Sequence, residues 1–269
     1  MKKILVISGK GGTGKTSIAL QLIKLSNAKA IADCDVDTPN LHLNFSLPQE
    51  KTRYGFFDLR KAEINKDICN KCGLCYKYCQ FDAITYDSGY VVDKVSCEGC
   101  GVCSYICPEK AITIKKVKSG EVIKYKGLTT FAMAKLDVGG ENSGKFVSKI
   151  KRELGDDAEL AIIDGPPGIG CPVIAAISGV DLALLVAEGS VSGFSDLRRI
   201  VKLALKMHVK IGVCINKYDI DKEISDDIIM FCEMNKIPFV GKVSYAKDFP
   251  NEKFALEVKE IYENIKKII

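Results

Sequence analysis

Ile4-Leu-Val-Ile-Ser-Gly-Lys-Gly-Gly-Thr-Gly-Lys-Thr16 is a short apolar run that ends in a glycine-rich loop. The run at 4–7 has the composition of a parallel strand buried on both faces. Ser17 to Leu25 continues with the apolar spacing of a helix. Gly9 to Thr16 matches G-x4-G-K-T in the strand–loop–helix setting that such a motif requires. Glycines let the backbone close around phosphate, so that the N–H groups of Gly12, Thr13, Gly14 and Lys15 point inward at the positive end of the helix. Lys15 is placed to meet the β- and γ-phosphates, and the Thr16 hydroxyl to ligate Mg²⁺. Gly11 and Ser17 flank this cradle and are counted with it. A glycine-rich turn without a ligand is the plainer alternative.

Working outward, apolar strands expected at 4–7, 29–33, 160–163, 182–187, 211–215 and 239–243 alternate with helical patterns. The helices are expected at 16–25, 145–154, 172–178, 194–207, 222–235 and 251–268. That alternation specifies an α/β fold with a doubly wound, mostly parallel sheet and right-handed crossovers. It is interrupted near residue 62 and resumes near 127, predicting a discontinuous domain, 1–61 plus 127–269, with an α+β insert at 62–126.

The insert carries eight of the twelve cysteines in two copies of C-x2-C-x2-C-x3-C. One copy is Cys69, Cys72, Cys75 and Cys79; the other, offset by 28 residues, is Cys97, Cys100, Cys103 and Cys107. Three closely spaced thiolates can hold three corners of a cubane, with the fourth iron reached by the last cysteine of the other repeat. The expected sets are therefore Cys69, Cys72, Cys75 and Cys107 on one [4Fe–4S] cluster, and Cys97, Cys100, Cys103 and Cys79 on the other. Structural zinc prefers two CxxC pairs held further apart, and disulfides belong to oxidising compartments. Each repeat is expected to end in strand pairs, Ala83–Tyr86 with Tyr90–Asp93 and Ala111–Lys115 with Glu121–Lys126. The segment resembles a bacterial-type two-cluster ferredoxin, departing from it at Gln80, where a proline is usual.

Lys10-Gly-Gly-Thr-Gly-Lys-Thr16 resembles the deviant phosphate loop of the MinD/ParA family of ATPases, relatives of which include the nitrogenase iron protein and the Mrp-type cluster carriers. The resemblance implies that Lys10 reaches a partner's nucleotide across a sandwich homodimer formed on ATP binding. Ala30-Ile-Ala-Asp-Cys-Asp-Val-Asp37 looks like the first switch, with Asp35 matching the aspartate that orients the attacking water. Leu160-Ala-Ile-Ile-Asp164-Gly-Pro-Pro-Gly168 looks like the second, with Asp164 holding Mg²⁺ through water and the Gly168 N–H sensing the γ-phosphate. Asn216 matches the position that hydrogen-bonds adenine, although Asn216-Lys-Tyr-Asp219 also fits the pattern that reads guanine. Gly140-Glu-Asn-Ser-Gly-Lys145 looks like a subgroup signature, read either as a docking segment or as a helix capped by Asn142 or Ser143. Cys171 lies where the iron protein places a ligand of its dimer-bridging cluster; the preferred reading is a small buried residue at a helix start. Cys34, Cys214 and Cys232 read as core, and His42 and His208 carry no ligand spacing.

The 269 residues are 47% hydrophobic with a formal charge of +5, which two anionic clusters would largely cancel. Neither nucleic acid nor membrane is expected as a partner: the Lys115–Lys118 cluster lacks interleaved aromatics, and the longest apolar stretch carries Pro172 and Asp181. The C-terminal stripe Phe254, Val258, Ile261, Ile265 and Ile268 reads as a sheet-packing face. These features predict a cytoplasmic Mg-ATP hydrolase that couples nucleotide-driven dimerisation to electron transfer or metallocluster assembly on a redox or cluster-accepting protein. The alternatives are a cluster carrier that releases cargo under ATP control, and a positioning or partition ATPase.

Overall fold

The computed structural model describes residues 1–48, 51–140, 144–246 and 251–269. The chain divides into two units, Met1–Tyr54 with Val122–Lys135 and Asn142–Ile269, and Gly55–Glu121 with Leu136–Glu141. The strands are β1 (Lys2–Ser8), β2 (Ala30–Asp33), β3 (Lys51–Phe56), β4 (Leu59–Ile64), β5 (Ile84–Tyr86), β6 (Tyr90–Val92), β7 (Ile112–Val117), β8 (Gly120–Tyr125), β9 (Thr130–Leu136), β10 (Leu160–Pro167), β11 (Leu182–Glu188), β12 (Lys210–Asn216) and β13 (Phe239–Val243). The helices are α1 (Lys15–Ser26), α2 (Leu74–Lys77), α3 (Val102–Tyr105), α4 (Gly144–Arg152), α5 (Cys171–Ile177), α6 (Val191–Lys206), α7 (Lys222–Met234) and α8 (Glu252–Lys266).

A nine-stranded sheet runs β13-β12-β11-β1-β10-β2-β9-β8-β3. Its pairs from β13 through β9 are parallel. The central strands are continuous apolar runs because helices cover both faces; Ile4 to Ile7 and Leu182 to Leu185 are fully buried. Ile18 and Leu22 of α1 share one core with Val258, Ile261 and Ile265 of α8, which is the sheet-packing face expected of the C-terminal helix. Side chains cap α6, α7 and α8: Ser190, Asp221 and Asn251 accept the N–H groups of Gly193, Ile224 and Phe254. Among the described residues, no helix is long and apolar enough to cross a membrane.

The second unit repeats itself in backbone as well as in sequence. Lys71 and Gly99, Gly73 and Gly101, and Asp82 and Lys110 all have positive φ, each pair at the offset of the cysteine repeats. Gly73 and Gly101 open the short helices α2 and α3. The β5–β6 hairpin forms as expected. The second expected pair does not. β7 pairs with β4, from Leu59↔Val117 to Ile64↔Ile112, while β8 enters the large sheet between β9 and β3. β4 thereby completes the unit, which begins at Gly55 rather than at 62; Glu121 rather than 126 ends its main stretch, and Leu136–Glu141 are added to it. The caps expected at Asn142 and Ser143, with Glu141, lie outside the described residues; α4 begins at Gly144.

Candidate functional site

The loop Gly9–Gly14 joins β1 to α1. Gly14 precedes the helix in the left-handed region (φ 83), where only glycine is unstrained. A Cβ there would also collide with the Asn216 amide. Unlike α6, α7 and α8, α1 has no side-chain cap, and its first turn carries no acid. Its first N–H groups are thus left to an anion. The Thr13 hydroxyl is buried without a partner in the same loop. An uncapped helix end with an orphaned hydroxyl fits a phosphate chain.

Parallel register assembles the acids. β10 pairs with β2 so that Asp164 sits beside Asp33, and with β1 so that Asp164 faces Val6. Lys15 Nζ lies 2.8 Å from Asp164 Oδ1 and 3.4 Å from Asp35 Oδ2. The Thr16 hydroxyl donates to Asp164 Oδ2 at 2.7 Å. Burial opposes the Lys15 ammonium, yet Asp164, and behind it Asp35 and Asp33, hold its pKa above the usual lysine value. Asp33 accepts the N–H groups of Asp35 and Leu41, both at 3.1 Å, and so shapes the loop after β2. Burial, reinforced by Asp164, pushes its carboxyl up to about 7. Asp35 also accepts the Thr38 hydroxyl at 3.3 Å. Gly168 has φ 94, and its N–H donates to the Ser8 carbonyl.

The other flank of the loop was only partly legible. Asn216 Nδ2 donates to the Thr13 carbonyl at 2.7 Å, and Lys217 Nζ to the Gly12 carbonyl at 3.1 Å. Lys10 Nζ pairs with Glu188 at 2.8 Å and donates to Ser190 and Ser192 at 3.3 and 3.1 Å. Glu188 also accepts Lys217 at 2.9 Å. Burial alone would raise the Glu188 carboxyl, but hydrogen bonds from Lys10 and Lys217 hold it below the usual carboxylate range. No motif marks Glu188, Ser190 or Ser192; only their place at the end of β11 does.

In the second unit, Cys69, Cys72, Cys75 and Cys107 line one small cavity. Cys79, Cys97, Cys100 and Cys103 line another. The last cysteine of each repeat thus faces the other repeat's three. Backbone N–H groups point at sulfur: Ala62 and Gly99 at Cys97 Sγ, each 3.4 Å, and Ala111 at Cys107 Sγ, 3.3 Å. The cysteines surround these voids; among the described residues, no group of three or more His, Cys, Asp or Glu side chains could hold a single metal ion. A zinc site needs sulfurs converging on one point about 2.3 Å away.

Cys34, Cys214 and Cys232 are buried, as expected of core residues. Cys171 is not: it stands exposed at the start of α5, so the expectation of a small buried residue is corrected. Val173 is the first residue of α5 to enter the core.

The family model of the CobQ/CobB/MinD/ParA nucleotide binding domain matches residues 4–254. An uncharacterized protein of Methanocaldococcus jannaschii is 38% identical over 99% of this chain and 97% of its own length. An uncharacterized ATP-binding protein of the same organism is 27% identical, with 98% of each chain covered. Among solved structures, the septum site-determining protein MinD of Pyrococcus horikoshii, complexed with Mg-ADP, superposes with a TM-score of 0.56 at 16% identity, covering 99% of this chain and 96% of that one. At that identity the likeness is one of fold.

Proposed function

The chain belongs to the CobQ/CobB/MinD/ParA nucleotide-binding family, and from that premise we propose that it is a Mg-dependent ATPase whose nucleotide state governs two [4Fe–4S] clusters on its cysteine repeats. The observation that carries the reading is the sorting of eight cysteines into two cavities, each lined by the four that the repeat arithmetic assigns to one cluster. The nucleotide half rests on the uncapped α1, the orphaned Thr13 hydroxyl and the Lys15–Asp164 pair.

In this reading, Lys15 exchanges Asp164 for the β- and γ-phosphate oxygens, and its charge offsets theirs. That exchange frees Asp164 and the Thr16 hydroxyl to hold Mg²⁺, which supplies charge neutralisation at the transferring phosphoryl group. Asp35, 9% exposed and already restrained by Thr38, accepts a proton from the attacking water or fixes its orientation. Lys10 leaves Glu188 to reach the nucleotide of a second copy of the chain. Asn216 braces the loop through Thr13 and keeps its second N–H and its Oδ1 for the base. Adenine is favoured by the ATP-binding relative and by the Mg-ADP held by the fold neighbour. Each cluster, when bound, carries one electron at low potential, which suits a redox or cluster-accepting protein partner.

A septum-site fold neighbour also suits a positioning ATPase, but that reading gives the two cysteine-lined cavities no task. The test is anaerobic purification followed by iron and sulfide analysis and reduction with dithionite. The expected result is about eight irons per chain and a paramagnetic [4Fe–4S] signal. Zinc at one or two equivalents with no such signal would refute the cluster half.

A further inference from the structure

The second unit buries a cation with no acid paired to it. Lys61 lies in β4 with 6% exposure, and its ammonium donates to the Cys97 carbonyl at 2.6 Å. Among the described residues, only Lys15 is a comparably buried lysine, and it has two carboxylates within 4 Å. Lys61 forms no ion pair there. Asp93, whose carboxyl feels the Lys61 charge, is exposed and gives its oxygens to the Ser96 hydroxyl and to the N–H groups of Val95 and Ser96. An ammonium withdrawn from water against a neutral carbonyl is costly unless negative charge is close by.

That charge has one evident source. Ala62, next to Lys61, lines the cavity of Cys79, Cys97, Cys100 and Cys103. The same strand aims the Ala62 N–H at Cys97 Sγ, and Gly99 adds a second. Gly99 comes close because β4 crowds its loop: a Cβ there would strike the Arg60 carbonyl. The other cavity has N–H donors of its own, from Ala111 to Cys107 and from Tyr76 to Cys75, but no buried ammonium beside it among the described residues.

We infer that Lys61 is the counter-charge of the cluster held by Cys79, Cys97, Cys100 and Cys103 and makes it the more easily reduced of the two. Reduction adds a negative charge to a core whose thiolates already carry several. A fixed ammonium and N–H dipoles aimed at sulfur stabilise the reduced form more than the oxidised one. This inference rests on the proposed cluster reading.

The test is a redox titration of the anaerobically purified full chain, followed by paramagnetic resonance, after iron analysis. Fewer than eight irons would count against the cluster reading itself, before Lys61 is at issue. With eight present, wild type should show two separate one-electron waves. Lys61→Met, which keeps the stem and removes the charge, should lower the reduced-to-oxidised ratio of the upper wave about tenfold at a fixed potential, a downward shift of about 59 mV. The lower wave should stay in place, and Lys61→Arg should restore the upper one. Should Lys61→Met fail to fold, Cys100→Ser should perturb the upper wave alone. Coincident waves in wild type, an unmoved upper wave in Lys61→Met, or a Cys100→Ser effect on the lower wave would each overturn the inference.

Discussion

Lys10 and Glu188 form an ion pair 2.8 Å long, in which the lysine expected to act on a second copy of the chain is held by its own. The side chains are 30% and 19% exposed, so the pair is partly desolvated and contributes on the order of 1 kcal/mol. Releasing Lys10 from this contact is one of the costs that ATP binding and dimerisation must offset. Glu188→Gln should therefore tighten dimerisation at a given ATP concentration, by roughly fivefold in the dimerisation constant for a latch of ~1 kcal/mol. Sedimentation with a non-hydrolysable analogue reads this directly. A dimer fraction equal to or below that of wild type would contradict the latch.

The two lysines of the loop should separate cleanly. Lys15→Ala leaves Asp164 buried without its cation and removes the main phosphate-binding charge, so Mg-ATP binding should fall by 2–3 orders of magnitude, on a loss of ~3–4 kcal/mol. Lys10→Ala should bind nucleotide within a few-fold of wild type yet lose dimerisation and turnover. Calorimetric titration of both variants checks the difference, and equal losses would remove the trans role of Lys10.

Asp35→Asn keeps the shape of the side chain but cannot take a proton. It should bind ATP normally and hydrolyse it at least about 100-fold more slowly, the scale of a lost general base. Unchanged phosphate release would take Asp35 out of the reaction.

The pH dependence of the nucleotide-free protein should carry the mark of Asp33. Its folded pKa is raised from 3.8 to about 7, so the folded chain keeps a proton that the unfolded chain gives up. Stability is then lost as pH rises between these values and levels off above them, by at most ~4 kcal/mol. Asp33→Asn removes this slope but loses one acceptor for the Leu41 or Asp35 N–H, at a pH-independent cost of ~1 kcal/mol. Denaturant midpoints of wild type should fall more steeply from pH 5 to 8 than those of the variant. Parallel curves would assign the raised pKa no role in stability.

The loop before α1 and the sorting of the eight cysteines into two sets of four were legible because a few residues at fixed spacing determine each geometry. The β4–β7 pairing was not, since Leu59–Ile64 has no alternating pattern and meets its partner about fifty residues later. The expected β7–β8 hairpin failed for the same reason, because β8 finds its neighbours in a different sheet. No motif marks Lys61, and only the placing of β4 brings its ammonium to the Cys97 carbonyl. Glu188 is a single acid at a strand end; only the parallel register of β11 beside β1 brings it to Lys10. Cys171 was misjudged because Cys-Pro marks a helix start without saying which side faces out.

If nucleotide and cluster chemistry are coupled in one chain, the cluster midpoint potentials must differ between two nucleotide states. Wild type, with eight irons verified, would be titrated in saturating Mg-ADP and in a saturating Mg-bound ATP analogue. A typical coupling of ~1–3 kcal/mol corresponds to about 40–130 mV for one electron. A shift in that range is expected, together with a matching change in nucleotide affinity between oxidised and reduced protein. Superimposable titrations, with nucleotide affinity indifferent to redox state, would contradict the coupling.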